Sequence, residues 1–301
     1  MKTLALAAAT VASLVCLGAH ARVIHTESSL YQNILVIDDG TMRCLQFSVR
    51  KDQRNQSCRD ASAPRRMVFP YTRMMLATLL LDPSPRRVLI VGLGGGTLPT
   101  AIAELYPDAH VDVVEIDPAV TSVAKRYFDF APGPNVHVFE QDARVWTKRA
   151  LVEPTRYDLV MLDAFNGDYI PEHLMTREFL EEARGLLTDD GTLAANTFSF
   201  SRLYDSESVT YASVFGTFFN FKVAGTQNRV IIASRAALPD PATLDAIAQR
   251  LTAALAPYGV PIGSYPGQLK TTADWRADAR VLTDQYSPAN LLRGADQRFG
   301  Q

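Results

Sequence analysis

From Arg87 onward the chain alternates short apolar runs with longer amphipathic ones. The apolar runs at 87–92, 110–116, 135–140, 157–163 and 191–198 predict buried strands, and the stretches at 97–106, 118–128, 142–150, 176–187 and 206–219 predict helices. Such alternation predicts an α/β fold, a mainly parallel sheet with helices on both faces. Phe221–Gly225 and Arg229–Ser234, joined by a short polar turn, are expected to close the sheet as an antiparallel pair. Residues 241–256 read as an amphipathic helix before a loop-rich tail. Ahead of this region, Tyr31–Ile37 and Met42–Phe47 flank Asp38-Asp39-Gly40, a hairpin signal that predicts a small antiparallel sheet. A helix is predicted over Val68–Leu81, ending before Asp82-Pro83-Ser84-Pro85. The expected division is a leader at 1–21, a small β-domain at 22–66 and the α/β domain with its C-terminal helix and tail at 67–301.

The chemistry is concentrated where the predicted parallel strands end. Arg87-Val-Leu-Ile-Val-Gly-Leu-Gly-Gly-Gly-Thr97 is a strand running into a glycine-rich turn, and Val113-Val-Glu-Ile-Asp117 ends the next strand in an acid. Gly92 and Gly94 let the backbone approach a ligand closely, while Glu115 can accept hydrogen bonds from both ribose hydroxyls. Asp117-Pro118 reads as a helix start, with the aspartate as cap. A dinucleotide fingerprint needs a glycine where Thr97 stands. The next strand end, Gln141-Asp142-Ala143, adds a further acid. Glycines, then Glu115, then Asp142 suit an adenosine held along its length, a pattern similar to S-adenosylmethionine-type folds rather than NAD folds. The strand from Tyr157 ends in Asp163, and Ala164–Pro171 is polar enough to be a loop over the mouth of the site. Asp163 and Asp168 are expected to face one pocket, hold an ammonium and take its proton so that the lone pair can attack. A cap at Asp163 and a solvated loop acid at Asp168 are the alternatives.

The N-terminus adds a compartment. Lys2, an apolar run and Ala19-His20-Ala21 form a secretory-signal pattern, the apolar run being short for a membrane span. The expected location is the periplasm, with an N-terminally membrane-anchored protein as the alternative. Cys16 lies in a poor lipoprotein box, following Ser13-Leu14-Val15. Cleavage removes Lys2 and takes the formal charge from −2 to −3. Without a basic run, no nucleic-acid partner is expected. Cleavage also leaves two cysteines, Cys44 and Cys58, which in an oxidising compartment are expected to pair. Buried thiols are the alternative in a reducing one. Neither cysteine has metal-site spacing, and no metal is expected.

The order Tyr31-Gln32, Tyr71, Gly92-Leu-Gly-Gly-Gly96, Val114-Glu-Ile-Asp117, Asp142-Ala143 and Leu162-Asp163 resembles the spermidine synthase (polyamine aminopropyltransferase) family over residues 28–235. The resemblance is to its divergent bacterial branch. It implies a Rossmann-like, class I methyltransferase-type domain preceded by a small N-terminal β-domain. It further implies aminopropyl transfer from decarboxylated S-adenosylmethionine to a diamine or polyamine. Gln32, Gly92, Gly94, Glu115, Asp142 and Ala143 would bind the nucleoside, Asp142 at the adenine. Asp163 would be the acid–base residue at the attacking amine, and Tyr71 and Asp168 would meet the acceptor. A homo-oligomer is left open.

The departures are specific. An aspartate that grips the donor's amine in the family is Gly95 here. The family's polar residue and glutamate after Tyr71 are replaced by Thr72 and Arg73, and Asp163 is followed by Ala164-Phe165-Asn166-Gly167. The glycine and Val-Glu-Ile-Asp-Pro blocks also resemble a spermidine-synthase-like domain that methylates protein N-termini. An S-adenosylmethionine methyltransferase is therefore the alternative enzyme. A non-catalytic binder of polyamines or nucleosides is the third expectation, because an exported enzyme has no evident donor supply.

Overall fold

The computed structural model describes residues 21–49, 52–165 and 170–287. The expected signal segment and Asp168 fall outside them, apart from Ala21. The first four strands, β1 (Arg22–Ser28), β2 (Asn33–Asp39), β3 (Met42–Val49) and β4 (Asp52–Asp60), form an antiparallel sheet in sequence order. The β2–β3 turn is Gly40-Thr41, one step beyond the expected Asp38-Asp39-Gly40, with Gly40 at φ +61°. Alternate residues Ile34, Val36, Leu45 and Phe47 bury one face of this sheet. Cys44 and Cys58 are direct partners across β3 and β4, with α-carbons 4.1 Å apart and sulfurs at bonding distance.

The main sheet has seven strands: β5 (Arg87–Val91), β6 (His110–Glu115), β7 (Val136–Glu140), β8 (Tyr157–Leu162), β9 (Leu187–Phe198), β10 (Phe219–Lys222) and β11 (Asn228–Ser234). Their order is β10-β11-β9-β8-β5-β6-β7, parallel from β9 to β7 and antiparallel at β11 and β10. The chain winds outward from β5 through β6 to β7, then returns to place β8 on the other side of β5. That reversal between β5 and β8 opens a crevice at the carboxyl ends of the strands. The connecting helices are α2 (Thr97–Leu105), α3 (Pro118–Tyr127), α4 (Ala143–Ala150), α5 (Arg177–Gly185) and α6 (Tyr204–Phe215), with α1 (Pro70–Met75) before the sheet and α7 (Pro241–Leu255) after it.

Several expected elements differ in their limits. The helix over Val68–Leu81 starts at Pro70, because a proline suits a first helical position and Phe69 is extended. It changes to a 3-10 helix at Leu76–Leu80, a run buried on every side, so packing rather than an amphipathic period sets its geometry. The expected helix 206–219 spans Tyr204–Phe215 and stops at Gly216, φ +71°. The chain then enters β10 at Phe219 rather than 221, burying Phe219 and Phe221. The expected strand 191–198 begins earlier, at Leu187, taking over the last residue of the expected helix 176–187.

Candidate active site

The crevice holds a cavity of about 300 Å³ whose walls include Gln32, Tyr71, Gly92, Gly94, Glu115, Asp142, Ala143 and Asp163. The strand order brings Gly92, Gly94, Glu115, Asp142, Ala143 and Asp163 together, and Gln32, from the β1–β2 turn, and Tyr71, from α1, join them. Gly92 stands at φ +96°, and a Cβ there would lie 2.3 Å from the Asp163 carbonyl oxygen. Only a glycine lets β5 and β8 end this close together. The Gly92 N–H donates to the Val114 carbonyl and the Asp163 N–H to the Val91 carbonyl, both at 2.8 Å, which fixes the three strand ends.

Glu115 ends β6 with its carboxylate buried. Oε2 accepts from the Leu93 N–H and Oε1 from the Asp117 N–H, each at 3.0 Å. Burial raises its pKa, against these backbone donors, which lower it. The two oxygens are thereby held at the cavity wall beside Ile116, in a fixed orientation suited to a vicinal diol. Asp142 caps α4, Oδ1 accepting from the Val145 N–H at 2.9 Å, while Oδ2 lies 2.8 Å from His173 Nε2. His173 also lines the cavity and was not legible as a site residue, since it arrives from the segment before α5.

Gln32 reaches the cavity through a device built on Asp117. Asp117 Oδ1 caps α3 through the Ala119 N–H, and Oδ2 accepts the Ser29 hydroxyl proton at 2.6 Å. The Ser29 Oγ in turn accepts the Gln32 N–H at 3.1 Å. One carboxylate thus starts a helix and docks the loop that carries Tyr31 and Gln32.

Asp163 follows β8 directly. Its Oδ1 accepts from Asn196 Nδ2 at 2.9 Å, and the Tyr71 hydroxyl hydrogen-bonds the same carboxylate. Asn196 lies on β9 with its own Oδ1 taken by Asn228 Nδ2 at 3.1 Å, so the amide cannot turn over without losing both contacts. Burial pushes the Asp163 carboxyl up to about 7, with the Asn196 and Tyr71 hydrogen bonds pulling the other way. Burial and the neighbouring carboxylate hold the Tyr71 phenol well above its ordinary value, so it stays a neutral donor. Asn196 was missed in the sequence, although a polar residue after the buried Ala194-Ala195 at a strand's carboxyl end is the signal that marks it.

Ser57 of β4, buried, lines the cavity beside Gln56 and next to Gly94. A Cβ on Gly95 would fall 2.6 Å from Ser57 Oγ and 3.0 Å from Phe128. The space an aspartate at 95 would need is filled by Ser57 of the N-terminal sheet and by Phe128 at the end of α3.

The spermine/spermidine synthase domain profile matches residues 68–226. The chain is 52% identical over 273 residues to a protein of Vibrio vulnificus named polyamine aminopropyltransferase, covering 90% of this chain and 91% of that one. A probable spermidine synthase from Corynebacterium glutamicum shares the fold at a TM-score of 0.64 and 20% identity, over 86% of this chain and 99% of that one. Human methyltransferase-like protein 13, in complex with SAH, does so at a TM-score of 0.57 and 23% identity, over 74% and 100%. With a profile match over more than half its length and a full-length relative at this identity, the chain belongs to the spermine/spermidine synthase family.

Proposed function

We propose that the protein transfers an aminopropyl group from decarboxylated S-adenosylmethionine to the primary amine of a diamine or polyamine. The observation that carries this reading is Asp163, a carboxyl at the end of β8 bonded to Asn196 and Tyr71, pushed up to about 7 by burial and lining the same cavity as Glu115 and Asp142. Glu115 would take the ribose hydroxyls, with Gln32, Gly92 and Gly94 along the nucleoside. Asp142 and Ala143 would meet the adenine. Asp163 would accept a proton from the acceptor's ammonium, with Tyr71 beside it and Asp168 as a second acid. The freed lone pair attacks the carbon next to sulfur and becomes the C–N bond as the C–S bond breaks, and the sulfur keeps the C–S bonding pair and leaves as neutral methylthioadenosine. Positioning and deprotonation are the protein's contributions.

Purified protein supplied with decarboxylated S-adenosylmethionine and common diamines should release methylthioadenosine. Failure to do so with every diamine overturns the reading. Tight polyamine retention without turnover would identify a binder instead.

Methyl transfer from S-adenosylmethionine is the second reading, favoured by one observation. The end of the cavity where the family's aspartate would act is lined by the neutral Ser57 and Gln56, which neither demand an ammonium nor repel a carboxylate. Calorimetry with both nucleosides separates the two, a clear preference for S-adenosylmethionine selecting methyl transfer.

Export belongs to the same proposal. The pattern of residues 1–21 and the apposition of Cys44 and Cys58 both support an oxidising compartment. Among the described residues no helix is long and apolar enough to cross a membrane.

A further inference from the structure

Away from the crevice, at the amino ends of β6 and β7, three metal-ligand side chains meet on the sheet face covered by α4. His110 and Asp112 share a face of β6 through the two-residue period of a strand, and His137 is the direct partner of Asp112 across the parallel ladder. His110 Nε2 lies 3.5 Å and His137 Nδ1 3.7 Å from the same atom, Asp112 Oδ1. All three donor atoms fall within 4.8 Å of one another.

These separations are informative. A charge-assisted hydrogen bond would bring such atoms to about 2.7–2.9 Å. A tetrahedral ion bound at about 2.0–2.1 Å holds neighbouring ligand atoms about 3.3–3.4 Å apart. The two histidine–aspartate separations are nearer the second, and binding an ion would also draw together the two imidazole nitrogens, the three ligand atoms now spanning up to 4.8 Å. Tyr157, at the start of β8, donates to the other oxygen, Asp112 Oδ2, at 2.6 Å. That contact fixes the carboxylate with Oδ1 toward the histidines, the role of an outer-shell partner in metal sites. Asp112 is buried, and a buried carboxylate calls for a positive partner. The two imidazole rings lie 4.6 Å apart on the same face of the sheet. Arg87, Arg149 and Glu153 rim the depression above, Arg149 being engaged with Gln141 at 3.2 Å.

We propose that His110, Asp112 and His137 form a zinc site, one ion per chain, completed by water from the open depression. Two imidazoles and one carboxylate are a zinc-type ligand set. The ion would clamp β6 to β7, the strands that lead to Glu115 and Asp142, without touching the crevice.

Tag-free protein, stripped with a chelator and titrated with zinc sulfate by calorimetry, should take up one zinc per chain, and zinc should raise its thermal midpoint. Cobalt(II) should give the visible bands of a low-coordinate nitrogen–oxygen site. His110→Ala and His137→Ala should each weaken zinc binding about tenfold or more, and Tyr157→Phe about 10–100-fold, with unchanged circular dichroism. No zinc uptake at large excess overturns the proposal, as does uptake unchanged in the His110→Ala/His137→Ala double variant. Proton uptake by these histidines without zinc binding would assign the cluster to an ion pair and overturn it equally.

Discussion

Asn196 Nδ2 donates to Asp163 Oδ1 across 2.9 Å, from a neighbouring strand and thirty-three positions along the chain. This bond favours the ionised carboxylate, against the burial that holds it near 7. In the proposed reaction the free enzyme needs Asp163 charged, so kcat/KM should fall as the pH drops below about 7. Asn196→Ala removes a donor to the charged form and should move that limb upward by about one pH unit. Tyr71→Phe should move it in the same direction. A limb that stays in place in both variants would detach Asp163 from the proton transfer.

Asp163→Asn should separate activity from stability. The folded-state pKa of about 7 lies above the ordinary 3.8, so the fold prefers the protonated carboxyl. Its stabilising contribution is complete below about 4 and is lost as the pH rises through about 7. At pH 8 the charged side chain therefore costs stability, ~4 kcal/mol for a shift of this size before screening by cavity water. The neutral amide recovers about 2 kcal/mol of this after losing its hydrogen bond from Tyr71. Denaturant titration at pH 8 should show a more stable variant, and the rate of methylthioadenosine release should drop about 10²–10⁴-fold.

Restoring an aspartate at 95 should fail alone. With Ser57 Oγ 2.6 Å and Phe128 3.0 Å from the new Cβ, Gly95→Asp should destabilise by about 1–3 kcal/mol, as overpacking does. Combining it with Ser57→Gly should recover part of that loss and raise affinity for the aminopropyl donor relative to S-adenosylmethionine. Urea midpoints and calorimetry on the single and double variants test this. A stable Gly95→Asp single variant would show that the β4 contact yields.

The Cys44–Cys58 apposition ties β3 to β4 next to Ser57, at a sequence separation of 14. A bridge closing a loop of that length contributes on the order of 3 kcal/mol in the chain-entropy model. Cys44→Ala/Cys58→Ala, or reduction, should lower the thermal midpoint accordingly. The same change should weaken donor affinity, because β4 carries Gln56 and Ser57 into the cavity. Two free thiols in protein isolated from an oxidising compartment would remove both effects and one support for export.

The sequence alone determined the parallel sheet, the glycine turn and the acids at three successive strand ends. Those features are local: a buried strand declares itself by apolar run, and its carboxyl end by the residues that follow. Glu115, Asp142 and Asp163 were legible because each sits within two positions of such an end. Helix limits followed the same logic where a cap is present, as at Asp117 and Asp142, and failed over Leu76–Leu80, where burial on every side erases the helical period. Only the tertiary structure decided what faces each acid. Asn196 meets Asp163 because β9 lies beside β8, and Ser57 fills the place beside Gly95 because the N-terminal sheet docks there. His137 meets Asp112 through the register of β6 with β7. Strand order, register and docking are set by the summed burial of both sheets, a property of the whole chain that no short stretch encodes.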